Sequence, residues 1–343
     1  MRKKVGPVRA GLVGAGLMGR WHAHAICKAG ASLVGVTDLD QSAAARLASR
    51  YTDSRAFSSV ESLLAEGNLE VLHVCSPLGS HKQLAELAIE AGIHLIIEKP
   101  LTATAADTEA LFARAAEQDL IVCPVHQFIF QDGVAKAARL LPTIGRVIDV
   151  SATVVSAGGD GLAADEQSEF IADILPHPLS LVRFLAPKTY GSVRWSVVSA
   201  GSGELRVIGT SAEDITLSIF ISLKARPPAN TIRISGTNGT IHLNLFHGYA
   251  VTESGGATRL RKLTRPFEYS LKNLSAATFN LGRRAIRGEP AYPGLLRLVN
   301  CFYQAVRGIA APPISMQDTI AVAQTRDLLI AKASQLAARA IDR

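Results

Sequence analysis

Val8-Arg9-Ala10-Gly11-Leu12-Val13-Gly14-Ala15-Gly16-Leu17-Met18-Gly19 is the stretch that decides the fold of this chain. A short apolar strand, Val8 to Val13, runs straight into a Gly-x-Gly-x-x-Gly turn. Trp21 to Ala29 then reads as a helix closed by Gly30, and Ser32-Leu33-Val34-Gly35-Val36-Thr37 reads as a second strand ending in Asp38. A glycine turn alone is weak evidence, because such turns are common. Strand, turn, helix, strand and acid in this order, with Asp38 19 residues after Gly19, form a dinucleotide-binding constellation. Gly14 permits the tight turn, Gly16 lets a pyrophosphate approach the backbone, and Gly19 lets helix and strand pack closely. The helix N-terminus offers free N–H groups and a positive dipole end to the phosphates. A carboxylate at Asp38 accepts hydrogen bonds from both ribose hydroxyls and repels a 2′-phosphate, and Thr37, Leu39, Asp40 and Gln41 supply no cation to receive one. NAD is therefore expected over NADP. The competing reading is that Asp38 caps the next helix.

The alternation continues outward from this stretch. Helices are expected over 42–51, 59–65, 81–91 and 104–118, the last capped by Thr102 or Thr104. Strands are expected over 70–75, 93–97 and 120–125, with the turn Ser76-Pro77-Leu78-Gly79-Ser80 between the first of these and its helix. Strands separated by helices of this length mean a parallel doubly wound sheet, so the fold class is α/β. Glu98-Lys99-Pro100 closes the apolar run Ile93-His94-Leu95-Ile96-Ile97. Two charges and a proline at the mouth of a buried strand are poor packing material. Open α/β sheets bind ligands at the carboxyl ends of their strands, and a partly dry lysine there can hydrogen-bond a reacting hydroxyl.

Composition bounds the rest. A length of 343 residues suggests two domains, and 48% hydrophobic with 19% charged residues is ordinary for a globular protein. No apolar run approaches the roughly 20 residues needed to span a membrane. The basic start Met1-Arg2-Lys3-Lys4 leads into the glycine motif rather than a signal-peptide core. Cys27, Cys75, Cys123 and Cys301 are far apart and form no CxxC, so neither a metal cluster nor a disulfide framework is expected, and a cytoplasmic location fits. Part of the net charge of +7 lies in Arg259, Arg261, Lys262, Arg265, Lys272, Arg283, Arg284 and Arg287. That segment reads either as a solvated face or as a surface for an anionic substrate such as a sugar nucleotide. No nucleic-acid motif accompanies it.

Further along, Asp173-Ile174-Leu175-Pro176-His177 spaces an acid and a histidine by four residues, which on one helix puts both on one face. A histidine titrates near working pH and suits general acid/base work. The plain alternative is a buried histidine behind a helix N-cap acid. Residues 156–168, rich in Gly, Ala and Asp, read as a mobile loop, and His242 and His247 read as structural. His22 and His81 stand at helix starts near the cofactor turns, where either cofactor contact or helix-end packing would account for them.

Taken together, Gly14-Ala15-Gly16-Leu17-Met18-Gly19 with His22, Asp38, Ser76-Pro77 with His81, Glu98-Lys99-Pro100 and His126-Gln127 resemble the Gfo/Idh/MocA family of oxidoreductases. The resemblance is close over the first third and in outline beyond it. It implies a Rossmann domain, 1–125, followed by an α/β domain, 126–343, built on a large open, mostly antiparallel sheet. Strand-like segments at 146–155, 192–198, 204–209, 214–223, 231–235 and 240–246 agree, as do the hairpin turn Gly236-Thr237-Asn238-Gly239 and helices at 295–307 and 318–340. The resemblance further implies Lys99, Asp173 and His177 as catalytic residues. As cofactor contacts it implies Gly14, Gly16, Leu17, Met18, Gly19, Asp38, Ser76, Pro77, His81, Glu98, Lys99 and Gln127. Leu175 replaces the family's usual glycine, Pro176 and Pro178 flank His177 and place a helix start there, and Phe128 stands where an arginine is common.

The expected activity is hydride transfer between NAD and a hydroxyl or keto carbon of a sugar, inositol or sugar derivative. The expected assembly is a homodimer or homotetramer formed through the second sheet, with neither nucleic acid nor membrane as partner. An NAD-dependent glycosidase working by oxidation, elimination and reduction, and a non-catalytic NAD-binding sensor, are the alternatives.

Overall fold

The computed structural model describes residues 6–256, 258–289 and 291–341, so the basic start at Met1 to Val5 lies outside the described residues. The chain divides into two compact units, one of them Met1–Gln127 with Leu295–Ala323, the other Phe128–Gly294 with Gln324–Arg343. No helix among the described residues is long and apolar enough to cross a membrane.

Unit one alternates strand and helix: β1 (Arg9–Val13), α1 (Leu17–Lys28), β2 (Ser32–Thr37), α2 (Gln41–Ala48), β3 (Arg55–Ala56), α3 (Val60–Glu66), β4 (Val71–Val74), α4 (Leu78–Glu90), β5 (His94–Ile97), α5 (Ala105–Ala116) and β6 (Val122–Pro124). The six strands form one parallel sheet in the order β3-β2-β1-β4-β5-β6. Strand order reverses between β1 and β4, which puts a ligand crevice outside the carboxyl ends of those strands. Both faces are covered, so β4 and β5 are apolar almost throughout, and Leu72, Val74, Leu95, Ile96 and Ile97 are fully buried. Burying each such side chain contributes about 1.5 to 3 kcal/mol. Local capping fixes the helix starts. Asp40 accepts from Ser42 N–H and Ala43 N–H at the head of α2, and Ser59 accepts from Ser62 N–H at α3. Thr104 caps α5, while Thr102 bonds Thr108 instead, which resolves the two candidate caps. α1 and α4 start about a turn earlier than the sequence suggests, because Gly16 and Pro77 hold extended backbone immediately before them.

The second unit contains α6 (Asp132–Leu140), β7 (Val147–Val155), α7 (Ala164–Ile174), α8 (Pro176–Leu185), α9 (Pro187–Tyr190), β8 (Arg194–Gly201), β9 (Glu204–Thr210), β10 (Thr216–Ser222), β11 (Ala229–Gly236), β12 (Gly239–Asn244), β13 (Tyr249–Ser254) and α10 (Arg259–Arg287). Its seven strands run in the order β13-β12-β11-β7-β10-β9-β8, antiparallel except for the parallel pair β7 and β10. Alternation is clean. Val150, Ala152, Leu217, Ile219, Ile232, Ile234, Ile241 and Leu243 are buried on one face, while Ser151, Thr153, Ser218, Arg233 and His242 stand on the other. After unit two the chain returns to unit one with α11 (Leu295–Val306), which packs on α1, and enters α12 (Met316–Ile341).

Two expectations need correction here. The segment 156–168 is not a loop throughout. Its second part is the first turn of α7, started by Glu166, whose carboxylate accepts from Ala163 N–H at 2.8 Å. Its first part is tied down by Arg226, which donates to both oxygens of Asp160 at 2.7 Å. The basic segment is a single long helix, α10, that the sequence reading did not anticipate. Its Arg265 bonds Glu253 at 2.8 Å, Arg287 bonds Asp132 at 2.8 Å, and Lys272 donates to Thr252 O. The side chains of Arg259, Arg261 and Lys262 lie outside the described residues.

Candidate active site

The glycine turn sits at the carboxyl end of β1. Gly14 has φ +94, a conformation that L side chains rarely adopt, and a Cβ there would lie 2.6 Å from Cys75 O. A Cβ on Gly19 would lie 1.8 Å from Gly14 O, so only glycine lets α1 start this close to the turn. Gly16 is different: nothing lies within 4 Å of its absent Cβ. The open side of the turn is thus bare backbone at a helix N-terminus, the cradle a pyrophosphate needs. Leu17 is 55% exposed on that edge, with Met18 partly covered beside it.

Asp38 stands at the end of β2, and its carboxylate accepts from Ala15 N–H at 2.6 Å and Asp40 N–H at 2.8 Å. The cap of α2 is Asp40, so the helix-capping reading of Asp38 does not hold. Asp38 instead links the strand end to the glycine turn, the place from which a carboxylate reaches an adenosine ribose.

On the other side of the switch point, Ser76 and Pro77 form the turn from β4 to α4, with Ser76 Oγ 2.7 Å from Ser80 Oγ. His81 is buried, and its ring joins two turns: Nδ1 lies 2.9 Å from Pro100 O and Nε2 lies 2.8 Å from Ser76 O. Of the two readings left open for His81, helix-end packing is visible directly, because both ring nitrogens are engaged by backbone carbonyls.

Glu98, Lys99 and Pro100 follow β5, and the ladder carries on one residue past the strand, since Glu98 N–H donates to Val74 O at 2.9 Å. The Lys99–Pro100 peptide is cis. Lys99 is partly exposed at the carboxyl edge, while Glu98 is buried and accepts from Lys99 N–H at 3.2 Å. His22 is wholly buried and bridges inward: Nε2 lies 3.2 Å from Glu98 Oε1 and Nδ1 lies 2.8 Å from His73 Nδ1. His73 Nε2 in turn lies 2.8 Å from the hydroxyl of Tyr303 on α11. The sequence reading missed His73 and Tyr303. The available signal was a lone imidazole inside the buried strand Val71-Leu72-His73-Val74, which demands partners. Burial holds His73 well below the usual imidazole range, with His22 adding to the effect. Burial likewise lifts Cys75 well above the usual thiol range, with Glu98 adding to it, so this thiol stays protonated.

Beyond β6, His126 and Gln127 are buried. Burial first, and the charge of Lys99 second, lower His126 to about 4. His126 Nδ1 and Gln127 Oε1 are buried without a hydrogen-bond partner. Orphaned polar atoms this close in sequence to a strand's carboxyl end fit a polar ligand such as the nicotinamide end of a dinucleotide. Bare backbone at Gly16, a carboxylate at the end of β2 and these two orphans together match what NAD requires. The glycine-turn residues, Asp38, Ser76, Pro77, His81, Glu98, Lys99 and Gln127 all stand on unit one.

Asp173 and His177 stand on unit two, and not on one helix as their spacing suggested. Asp173 is in the last turn of α7, and His177 is in the first turn of α8, started by Pro176. Proline lacks the N–H that would continue α7, yet its φ suits a helix start. Leu175, between the two helices, keeps helical dihedrals, φ −55 and ψ −36. The reading of Asp173 as an N-cap acid therefore fails, since it ends a helix. The ring of Phe128 lies 4.6 Å from that of His177, so the residue standing where an arginine is common forms an apolar wall for the imidazole. Arg326 donates to Ala172 O at 3.1 Å and braces the end of α7.

Residues 8–126 match the family described as GFO_IDH_MocA, oxidoreductase family, NAD-binding Rossmann fold. A UDP-N-acetylglucosamine 3-dehydrogenase of Acidithiobacillus ferrooxidans is 28% identical over 273 residues, 72% of this chain and 80% of the relative. A D-apiose dehydrogenase of Paraburkholderia graminis is 25% identical over 334 residues, 87% of this chain and 88% of the relative. Among solved structures, the WlbA dehydrogenase of Bordetella pertussis in complex with NADH and UDP-GlcNAcA superposes with a TM-score of 0.74 at 19% identity, covering 96% of each chain.

Proposed function

We propose that this chain, whose residues 8–126 match the Gfo/Idh/MocA oxidoreductase family, is an NAD-dependent dehydrogenase or reductase acting on a hydroxyl or keto carbon of a sugar, polyol or sugar derivative. The observation that carries the reading is Lys99 at the carboxyl end of β5, on the same sheet edge as the Gly14-to-Gly19 turn and two strands from it. A nucleotide cradle and a lysine on one carboxyl edge of the sheet are what hydride chemistry at a carbinol needs. The names of the two curated relatives, both sugar-type dehydrogenases, support the substrate class.

Bound NAD would supply the hydride acceptor. Gly14, Gly16, Leu17, Met18 and Gly19 would hold its pyrophosphate, Asp38 its adenosine ribose, and Ser76, Pro77, Glu98, Lys99 and Gln127 its remaining length, with His81 bracing the turns at Ser76 and Pro100. Lys99 would donate a hydrogen bond to the reacting oxygen and stabilise its developing negative charge. His177 is the proposed general base for the hydroxyl proton, with Asp173 orienting it. Phe128 would keep water from the imidazole ring. Asp38 supports NAD over NADP, and Asp38→Ala should weaken NAD far more than NADP. Equal losses in titrations with the two nucleotides would contradict that preference. A reducing cytoplasm is the proposed setting, since Cys27, Cys75, Cys123 and Cys301 are all free thiols.

A homodimer or homotetramer formed through unit two is part of the same proposal. Its support is α10, where Arg265, Arg283 and Arg287 turn to Glu253 and Asp132. Phe267, Leu274 and Leu281 recur every seven residues and are 78%, 66% and 67% exposed. Ser270 and Thr278 flank this stripe without charge, which suits a second copy of the helix better than an anionic surface. A monomeric mass in light scattering would contradict it. The substrate class is tested by NADH formation against sugars, inositols and sugar nucleotides; no NADH from any of them would contradict the reading.

A further inference from the structure

We propose that Tyr303, His73 and His22 form a one-way hydrogen-bond relay that fixes the Glu98 side chain and makes the three of them positioning residues for Lys99. The relay rests on the role given to Lys99 above, but its geometry stands by itself. All four groups lie in unit one, and His22, His73, Glu98 and Tyr303 are buried. Three short contacts join them in series: 2.8 Å from Tyr303 to His73, 2.8 Å from His73 to His22, and 3.2 Å from His22 to Glu98. The rings meet edge-on, His22 and His73 at 82° and His73 and Tyr303 at 71°, which suits in-plane N–H and lone-pair contacts.

The direction follows from the ends. A carboxylate only accepts, so His22 Nε2 carries the proton that faces Glu98. In a neutral ring His22 Nδ1 is then bare, and the proton of its contact with His73 sits on His73 Nδ1. That leaves His73 Nε2 bare, so the Tyr303 hydroxyl donates to it. Burial favours this arrangement at both upstream positions, keeping His73 uncharged and holding the Tyr303 phenol well above its usual range. The reverse direction would leave the Tyr303 hydrogen without an acceptor, because among the described residues His73 is the hydrogen-bond partner of that hydroxyl.

A packed core gains nothing from four buried polar groups that apolar residues of the same shape could replace. What the relay does achieve is local. Glu98 Oε1 is held by His22 while Oε2 accepts from Lys99 N–H, so the carboxylate clamps the backbone from which the Lys99 side chain departs. The return of α11 to unit one supplies the first donor, 230 residues from His73. Arg307, on the turn after α11, secures the return by bonding Glu70 and Gly6 O.

The test uses the full-length protein labelled with 15N-histidine. Ring-nitrogen shifts should show His73 protonated at Nδ1 and His22 at Nε2, both neutral. His73 protonated at Nε2, or a charged ring at either position, overturns the relay. Tyr303→Phe should shift the His73 Nε2 resonance, and an unmoved resonance overturns it too. These readouts need no turnover, so they separate failure of the relay from failure of the enzymatic reading, which would show as a wild type inactive on every hydroxyl substrate. In the activity arm, Tyr303→Phe should lower kcat about tenfold, the scale of one lost hydrogen bond, while KM for NAD moves less than about twofold. His22→Gln, which keeps a donor for Glu98, should retain more kcat than His22→Leu. An unchanged kcat in Tyr303→Phe, or equal rates in the two His22 variants, overturns the positioning role.

Discussion

The two units carry the same kind of secondary structure for different reasons. In unit one the positions that matter are fixed by backbone and polar contacts that tolerate one residue type. Gly19 has no room for a methyl group, Asp38 is bonded to two backbone N–H groups, and His81 joins two carbonyls. In unit two the sheet is held by alternation of apolar and polar residues, a pattern that many sequences satisfy. A site built of irreplaceable residues leaves motifs in a sequence. A sheet built of interchangeable ones leaves only a period.

That contrast can be broken most sharply at the glycines. Gly19→Val places side-chain carbon against Gly14 O, so the glycine turn must open, and affinity for NAD(H) should fall by roughly a hundredfold or more, about 3 kcal/mol. Titration of the nucleotide against the protein's intrinsic fluorescence measures it, and near wild-type affinity would mean that the turn is not the binding element. The opposite case is Gly282 in α10, whose absent Cβ meets nothing within 4 Å. Gly282→Ala belongs at the far end of the scale of effects, with stability raised by up to about 1 kcal/mol from helix propensity alone. With Trp21→Phe leaving Trp195 as the reporter of unit two, a denaturant melt should show that small gain. A loss would mean that α10 needs glycine there for a reason the structure does not contain.

Between these lies a pH effect confined to unit one. His126 is held at about 4 when folded, against an ordinary value near 6.5. Between those two pH values the unfolded chain binds the proton that the folded chain refuses, so stability rises with pH across that window and is lost on acidification. The loss from pH 7 to pH 5 from this residue should be about 2 kcal/mol. His126→Gln should flatten the pH dependence of the Trp21-reported transition in a Trp195→Phe background. An equally steep dependence in that variant would remove His126 as its cause.

How much of this was legible in the sequence follows the same line. The parallel sheet, the Gly14-to-Gly19 turn, Asp38 and the lysine after β5 were all readable, because each needs its residue type at its spacing. Six strands of unit two were readable as alternation to within a few residues, while β13, Tyr249–Ser254, was not anticipated. The long helix α10 was not, because Pro266 and Gly282 interrupt it and its arginines draw attention to charge rather than period. Asp173 and His177 had the spacing of one helix face, but Pro176 also marked a helix start between them, and α8 begins there. Tyr303 could not have been found at all, since only the return of α11 brings it to His73.

The central claim is that hydride chemistry at a hydroxyl carbon depends on Lys99. Steady-state NADH formation by wild type and by Lys99→Met, on whichever sugar or polyol the wild type oxidises best, tests it most directly. The account predicts that kcat falls at least about tenfold, with NAD affinity changed little, because a donor to the developing oxyanion is lost while the nucleotide cradle stays intact. A variant that kept the full rate would contradict it.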